Sequence, residues 1–325
     1  MGAIEKTYDN FLEFYYDMLP DGKMAKELDG FVFRGESSDC YELLPSALRN
    51  NFYNGRYANL NEGDKTIPNN EISEQAQMIN EYLLLRKFYL SANHSGLKLP
   101  HIEGMQEDFF LDAWQKALDL LLKYKEWPPS ELVELISLAQ HHGLATRFLD
   151  WTFDINIALF FASRGACKRV MKNKNKAKND EKIVIWSIKY VYSNNEKINL
   201  PLKFIKPSYY SNKNLNSQKG LLSYWLSQIE RWVPTREQEK SAPVNRTSLD
   251  KLIEPYDQVK LYKFTIPCNE CKYIFNYVSQ LGYTSSRLFP GYDAVVKEIE
   301  DEIYIDKTVL FGNNKSKINE SEYLN

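Results

Sequence analysis

Long apolar runs are missing from this chain of 325 residues, so no segment is expected to cross a bilayer as a helix. The N-terminus, MGAIEKTYDN, is charged from its fifth residue and lacks an apolar signal core, so a cytoplasmic protein with no membrane partner is expected. Excess positive charge is missing too. Lys and Arg number 41 against 43 Asp and Glu, a net of -2. That argues against a chain-wide field for nucleic acid or anionic membrane, and leaves only a local basic groove open. Cysteine is scarce, at four residues: Cys40, Cys167, Cys268 and Cys271. The last two form a C-x-x-C, but a structural zinc wants a second such pair, and none exists. No metal or resident cofactor is expected, and the cysteines read as incidental thiols of a reducing compartment. No G-x-G-x-x-G, P-loop or internal repeat is present, which argues against Rossmann-type and Walker-type nucleotide binding.

What the chain does have is one dense stretch, Gln140-His141-His142-Gly143-Leu144-Ala145-Thr146-Arg147-Phe148-Leu149-Asp150-Trp151-Thr152. Upstream, Leu132, Leu135, Ile136 and Ala139 recur at helical spacing after Pro128-Pro129. Gly143 can close that helix, Thr146 to Asp150 reads as a short strand, and Thr152 or Asp154 can cap a second helix over 155–162. Polar groups at element ends on a rigid frame are the usual construction of a ligand site. Each residue has a plainer role available: Asp150 as a cap, Arg147 as its edge partner, His141 or His142 as a helix-end cation. Caps and edge pairs do not require the whole string together.

In chain order, the residues up to 30 are expected to hold an amphipathic helix marked by Ile4, Tyr8, Phe11, Tyr15 and Met18. Gly30 to Arg34 is an apolar strand delivering Arg34 at its end, with Gly35 allowing close backbone approach. Arg34 is either a structural ion pair with Asp150 or a glutamate, or a clamp for phosphate or carboxylate. Residues 50–70 read as an irregular loop, 73–91 and 107–124 as helices, and His94 and His101 carry no role. The basic run 168–182 reads as a mobile, solvated insertion, so a Gly/Ser linker in place of 170–180 is expected to leave stability unchanged. Ile183 to Tyr190 reads as a buried strand, Leu221 to Trp232 as a helix, 234–245 as a charged connector and Val259 to Ile266 as an edge-like strand. Cys271 to Leu281 and Tyr292 to Ile299 read as helices, and 311–325 as a frayed tail. The fold class is α+β, a small split or mixed sheet against a helical N-terminal half, with one domain over 31–310.

Phe33-Arg34-Gly35, followed by Gln-His-x-Gly-x-x-Thr-Arg-x-Leu-Asp-Trp-Thr, resembles the FRG domain of bacterial and phage proteins. Leu44-Pro45-Ser46, Asn156 with Ala158 to Ala162, Gln218-x-Gly220 and Leu288-Phe289-Pro290-Gly291 extend the resemblance over roughly 31–300. Leu222 stands where the family usually has phenylalanine, and Leu215 where it has arginine. By fold-level analogy the resemblance implies an ADP-ribosyltransferase-like arrangement acting on a macromolecule, in phage defence or as a toxin, with NAD consumed as substrate. In that reading Arg34, His141, Asp150 and Gln218 are catalytic. Arg34, Gly35, His142, Thr146, Arg147, Trp151 and Asn156 bind the nucleotide. Arg34 would hold the pyrophosphate, His141 the ribose hydroxyls, and Trp151 would stack on a ring. The transferase glutamate has no obvious counterpart, with Gln218, Glu36 and Asp150 as candidates. The expected partners are a nucleotide ligand and a protein or nucleic-acid acceptor. Two alternatives stay open. One is a non-catalytic module sensing a nucleotide or partner. The other is a metal-dependent nucleotide or nucleic-acid hydrolase built on His141, His142, Asp150 and Asp154.

Overall fold

A computed structural model describes residues 2–49, 73–102, 105, 126–172, 180–190, 201–207, 213–228 and 244–307. The strands are β1 (Ile4–Thr7), β2 (Phe31–Glu36), β3 (Glu126–Trp127), β4 (Leu149–Thr152), β5 (Lys182–Lys189), β6 (Leu202–Ile205), β7 (Gly220–Trp225), β8 (Ser227–Gln228) and β9 (Leu261–Pro267). The helices are α1 (Phe11–Met18), α2 (Glu74–His94), α3 (Val133–His141), α4 (Ile155–Lys172), α5 (Lys213–Ser217), α6 (Leu249–Leu252), α7 (Cys271–Gln280), α8 (Ser285–Leu288) and α9 (Tyr292–Lys307). Seven strands form one mixed sheet in the order β1-β9-β5-β2-β4-β7-β6, and β3 and β8 pair separately. This is an α+β fold, and no described helix is long and apolar enough to cross a membrane.

The sheet is covered on both faces. One core gathers Phe11 and Phe14 of α1, Phe31 and Phe33 of β2, Phe160 of α4, Phe264 of β9 and Ile274 of α7. The other face carries Val32, Trp151, Val184, Trp186 and Leu221 against Leu44, Ala47, Leu48 and Leu249. A third cluster packs α2 on α3 and reaches Leu222 and Tyr224 of β7. Alternation along β2 explains the split, since neighbouring residues of a strand face opposite sides.

Several expectations change. The first residues are strand before helix: Ile4–Thr7 pairs in parallel with β9, and the helix begins only where the Asn10 side chain accepts the Glu13 N–H. That parallel partner makes β9 an inner strand, not an edge. Gly220–Trp225 is a strand rather than a helix, buried along its whole length, and a short apolar run does not distinguish the two by period. The sheet is therefore larger than the four strands expected. The helix at 155 continues to Lys172 instead of stopping at 162, so the basic run opens as helix and ends as β5. Val170 is buried, Arg169 pairs with Glu181, and Lys168 pairs with Asp301 at 2.9 Å. Local polarity misled here because those cations satisfy acids brought from elsewhere in the chain. The calls on 50–70, 107–124 and the tail 311–325 lie outside the described residues, as do 173–179 of the basic run and most of 234–245.

Cysteines 167, 268 and 271 are buried between α4 and α7, and Cys167 Sγ lies 3.3 Å from Cys271 Sγ. A hydrogen bond to Cys271 and burial push the Cys268 thiol up, so it stays protonated.

Gly35 is what lets α4 lie on β2. A Cβ built there would sit 1.9 Å from the Ala158 carbonyl oxygen, a backbone atom that cannot swing aside. Gly165, one helical face along, would meet the Ser37 Cβ at 2.8 Å. Gly35→Ala is therefore expected to destabilise at or above the upper end of the ~1–3 kcal/mol typical of overpacking. Urea unfolding measures it, and a loss below about 0.5 kcal/mol would mean the helix rides more loosely than this geometry requires.

Candidate functional site

The ladder between β2 and β4 is a single pair, Phe33 with Thr152, whereas β2 and β5 pair from Phe31 to Glu36. Past that pair the two strands part. Arg34 fills the gap, its Nη1 donating to the Asp150 backbone carbonyl at 2.9 Å. Its other edge grips Glu36, with Nε 2.8 Å and Nη2 2.7 Å from Oε1. The Asp150 carboxylate lies 3.9 Å from Nη1. Burial draws the Arg34 value down, but Glu36 and Asp150 outweigh it and hold the guanidinium above its ordinary range.

A cavity of about 360 Å³ opens over this gap. Arg34, Glu36, Gln140, His141, Asp150 and Gln218 line it, with Phe161 and Phe289 on its apolar side. The volume falls in the roughly 300–1,000 Å³ usual for small-molecule sites. The Asp150 side chain is 62% exposed and Glu36 only 12%, so Asp150 is the carboxylate a ligand meets. Although the side chain is open to solvent at the cavity mouth, protein surrounds the carboxyl on its other sides, and this enclosure raises it above the usual range. Arg34 and the Gln140 amide pull it partly back.

Much of the central motif holds itself in place. Thr146 Oγ1 donates to Gln140 Oε1, and Gln140 Nε2 donates to Asp150 Oδ1 at 2.6 Å. Ser46 Oγ accepts the Thr146 N–H at 3.1 Å, which ties the Leu-Pro-Ser segment to the motif. Gly143, at φ 86°, closes α3 and turns the chain toward β4. His141 faces the Asn214 side-chain nitrogen through Nε2. Burial, with the neighbouring His142, lowers its pKa, so the imidazole is neutral near pH 7.

The four residues expected to act in catalysis, Arg34, His141, Asp150 and Gln218, thus line one cavity. Gln218 Nε2 donates to the Leu288 carbonyl at 3.2 Å, and its own carbonyl accepts from Thr152 Oγ1. The residues expected to bind nucleotide disperse. Gly35 lines the cavity, but its close approach is to α4. Trp151 borders it while only 3% exposed, its indole N–H engaged by Ser223 Oγ at 2.7 Å, so no ring face is open for stacking. His142 is exposed beyond the cavity beside Phe88. Thr146 is buried and positions Gln140, and Asn156 lies on the first turn of α4, with its N–H on Asp154. Arg147 turns away altogether, into a buried network with Glu81 at 2.8 Å and Glu74 at 2.6 Å. Nor do His141, His142, Asp150 and Asp154 gather. Asp154 pairs with Lys219 and Tyr283, and among the described residues no three His, Cys, Asp or Glu are grouped to hold a metal ion.

Gln140 also belongs to the site, a role its place in the motif does not announce. The missed signal is its place on the last turn of a helix, ten residues before Asp150, with a turn between that folds one onto the other.

Residues 29–172 match the family model of the FRG domain. No curated protein and no solved structure matches the chain. The matched span runs from just before β2 to the end of α4, so Gln218 and Phe289 enter the cavity from outside it.

The two arginines should separate in stability. Arg147→Ala leaves Glu81 buried without its cation, and about 3–5 kcal/mol is expected, the usual cost of breaking a buried pair. Arg34→Ala strands Glu36 but leaves Asp150 open to water, and about 1–3 kcal/mol is expected. Equal losses in urea titrations would contradict this division. His141 gives a pH effect. Its folded pKa is lowered, so the unfolded chain takes up the proton first, and stability should fall as pH drops below about 6.5, levelling off below the folded value. NMR titration of His141 should give a midpoint below 6.5, and His141→Gln should flatten that part of the stability profile. A midpoint at or above 6.5 refutes the neutral assignment.

Proposed function

We propose that this chain, whose residues 29–172 match the FRG domain model, consumes NAD, cleaving the nicotinamide–ribose bond and transferring ADP-ribose to a macromolecule, and that Asp150 is the carboxylate that serves the reaction. The observation that carries this reading is the charge balance of the cavity. One guanidinium, Arg34, faces two carboxylates, Glu36 and Asp150, beside a neutral His141. An excess of one negative charge disfavours a pyrophosphate dianion there and favours a cation. The pyridinium of NAD and the ribosyl cation formed as it leaves are both cations. Preorganised charge aimed at a developing charge is among the largest contributions to catalysis.

The roles shift accordingly. Arg34 orients the two carboxylates rather than clamping phosphate, and Gln140 fixes Asp150 Oδ1. Phe161 and Phe289, with ring centroids 5.9 Å apart, supply the apolar wall for a planar ring in place of Trp151. The pyrophosphate stays toward the mouth. The C1′–nitrogen bond breaks with its electron pair leaving on neutral nicotinamide. A lone pair of the acceptor then bonds to C1′, and the acceptor's proton passes to Asp150. A carboxylate whose pKa is raised is better suited to receive it.

Incubation with NAD labelled in the adenylate half and with cell lysate should mark a protein or nucleic-acid band. Asp150→Asn should reduce the labelling rate at least 100-fold, while Asp150→Glu restores part of it. Nicotinamide riboside, which has no phosphate, should compete, whereas ADP-ribose should compete weakly. NAD bound but intact with every acceptor fraction would favour the sensing module. NAD neither bound nor cleaved would end the proposal.

A further inference from the structure

Helix α9 has one face packed and one bare. Ala294 and Asp301 point inward and are buried, and Asp301 receives Arg164 and Lys168 of α4 and Ser285 of α8. On the outer side Tyr292 is 93% exposed, Val295 47%, Val296 56%, Ile299 52% and Ile303 48%. At 3.6 residues per turn these five fall within an arc of about 100°, the width of a stripe that normally faces a core. Tyr292, Val296, Ile299 and Ile303 are spaced four, three and four apart, the seam along which one helix packs on another. The helix has 16 residues, about 24 Å, so the stripe runs most of its length. Isolated exposed apolar residues are ordinary, but five contiguous ones on a helix rim mark an interaction surface.

The rims of the stripe say what covers it. Asp293, Glu300 and Glu302 are exposed and form no ion pair with a described residue. Glu298 is turned inward to accept the Ser286 N–H, and Lys297, on the far side of the helix, lies over the Phe289 ring. A second copy docked on this face would bring acidic rim against acidic rim, since Asp293 and Glu300 flank one side of the stripe and Glu302 the other. Like charges in contact oppose association. We propose that the outer face of α9 is a docking surface for an amphipathic helix of another protein, apolar on one side and flanked by lysine or arginine. Such a helix lays its anchors over Val296, Ile299 and Ile303 and its cations over Asp293, Glu300 and Glu302. The surface is distinct from the cavity, although Phe289 stands on the cavity wall three residues before Tyr292.

The test uses the full chain and two synthetic 21-residue helices with leucine seams, one with lysine flanks and one with glutamate flanks, labelled for fluorescence anisotropy. The lysine peptide should bind at least ten-fold more tightly than the glutamate peptide, and raising salt should narrow the gap. Ile299→Asp, at an exposed position, should keep the melting temperature and lose binding at least ten-fold. Glu300→Lys with Glu302→Lys should reverse the preference between the peptides while leaving the apolar seam intact. The proposal is overturned if both peptides bind equally, if neither binds, or if Ile299→Asp binds unchanged. It is also overturned if sedimentation reveals a wild-type dimer that Ile299→Asp dissolves, because the occupant is then a second copy. Failure of NAD turnover leaves every one of these outcomes unaffected.

Discussion

The cavity exists because two neighbouring strands share only one ladder position. At Phe33 and Thr152 the sheet is continuous, and immediately beyond it β2 stays with β5 while β4 stays with β7. A backbone carbonyl left without a ladder partner inside a protein is costly unless something replaces that partner. Here the replacement is a guanidinium. Arg34 donates to the Asp150 carbonyl, and in doing so fixes where Glu36 and the Asp150 carboxylate stand. The parting of the strands, the charge of the site and its opening to solvent therefore have one origin.

Two kinds of support hold that geometry. Below, α4 approaches so closely that Gly35 has no room for a side chain, which keeps β2 from closing the gap by sliding. Behind, Arg147 draws Glu74 and Glu81 of α2 to the residues just before β4, and Trp127 adds its indole N–H to Glu81 at 2.8 Å. An arginine inside such a motif is easily taken for a ligand contact. The burial of Arg147 assigns it instead to the frame, because two carboxylates already answer its charge.

The site and the outer helix share one connection. Gln218 holds the Leu288 carbonyl, Phe289 follows as cavity wall, and α9 begins at Tyr292. Its inner face is bound to α4 through Asp301, so α9 is anchored to the same helix that carries Phe161 into the cavity. The bare outer face is thus mounted on rigid structure, as a recognition surface requires.

What the sequence determined by itself was the class of fold and the two stretches that border the candidate cavity. Period and punctuation located β2, β5, β9, α2 and α7 to within a few residues, and the Phe-Arg-Gly and Gln-His to Asp-Trp-Thr strings marked the stretches that meet at the cavity. Those signals are local, carried by residues a turn or a strand apart. Only the tertiary structure decided that Arg34 serves Asp150 while Arg147 serves Glu81, that Trp151 is closed and Phe161 with Phe289 open, and that β7 is strand and not helix. It also decided that β1 covers β9 and that the basic run begins inside α4. Each of these depends on a partner tens to hundreds of residues away. Charge satisfaction and burial are properties of such long-range pairs, so no periodicity within a segment encodes them.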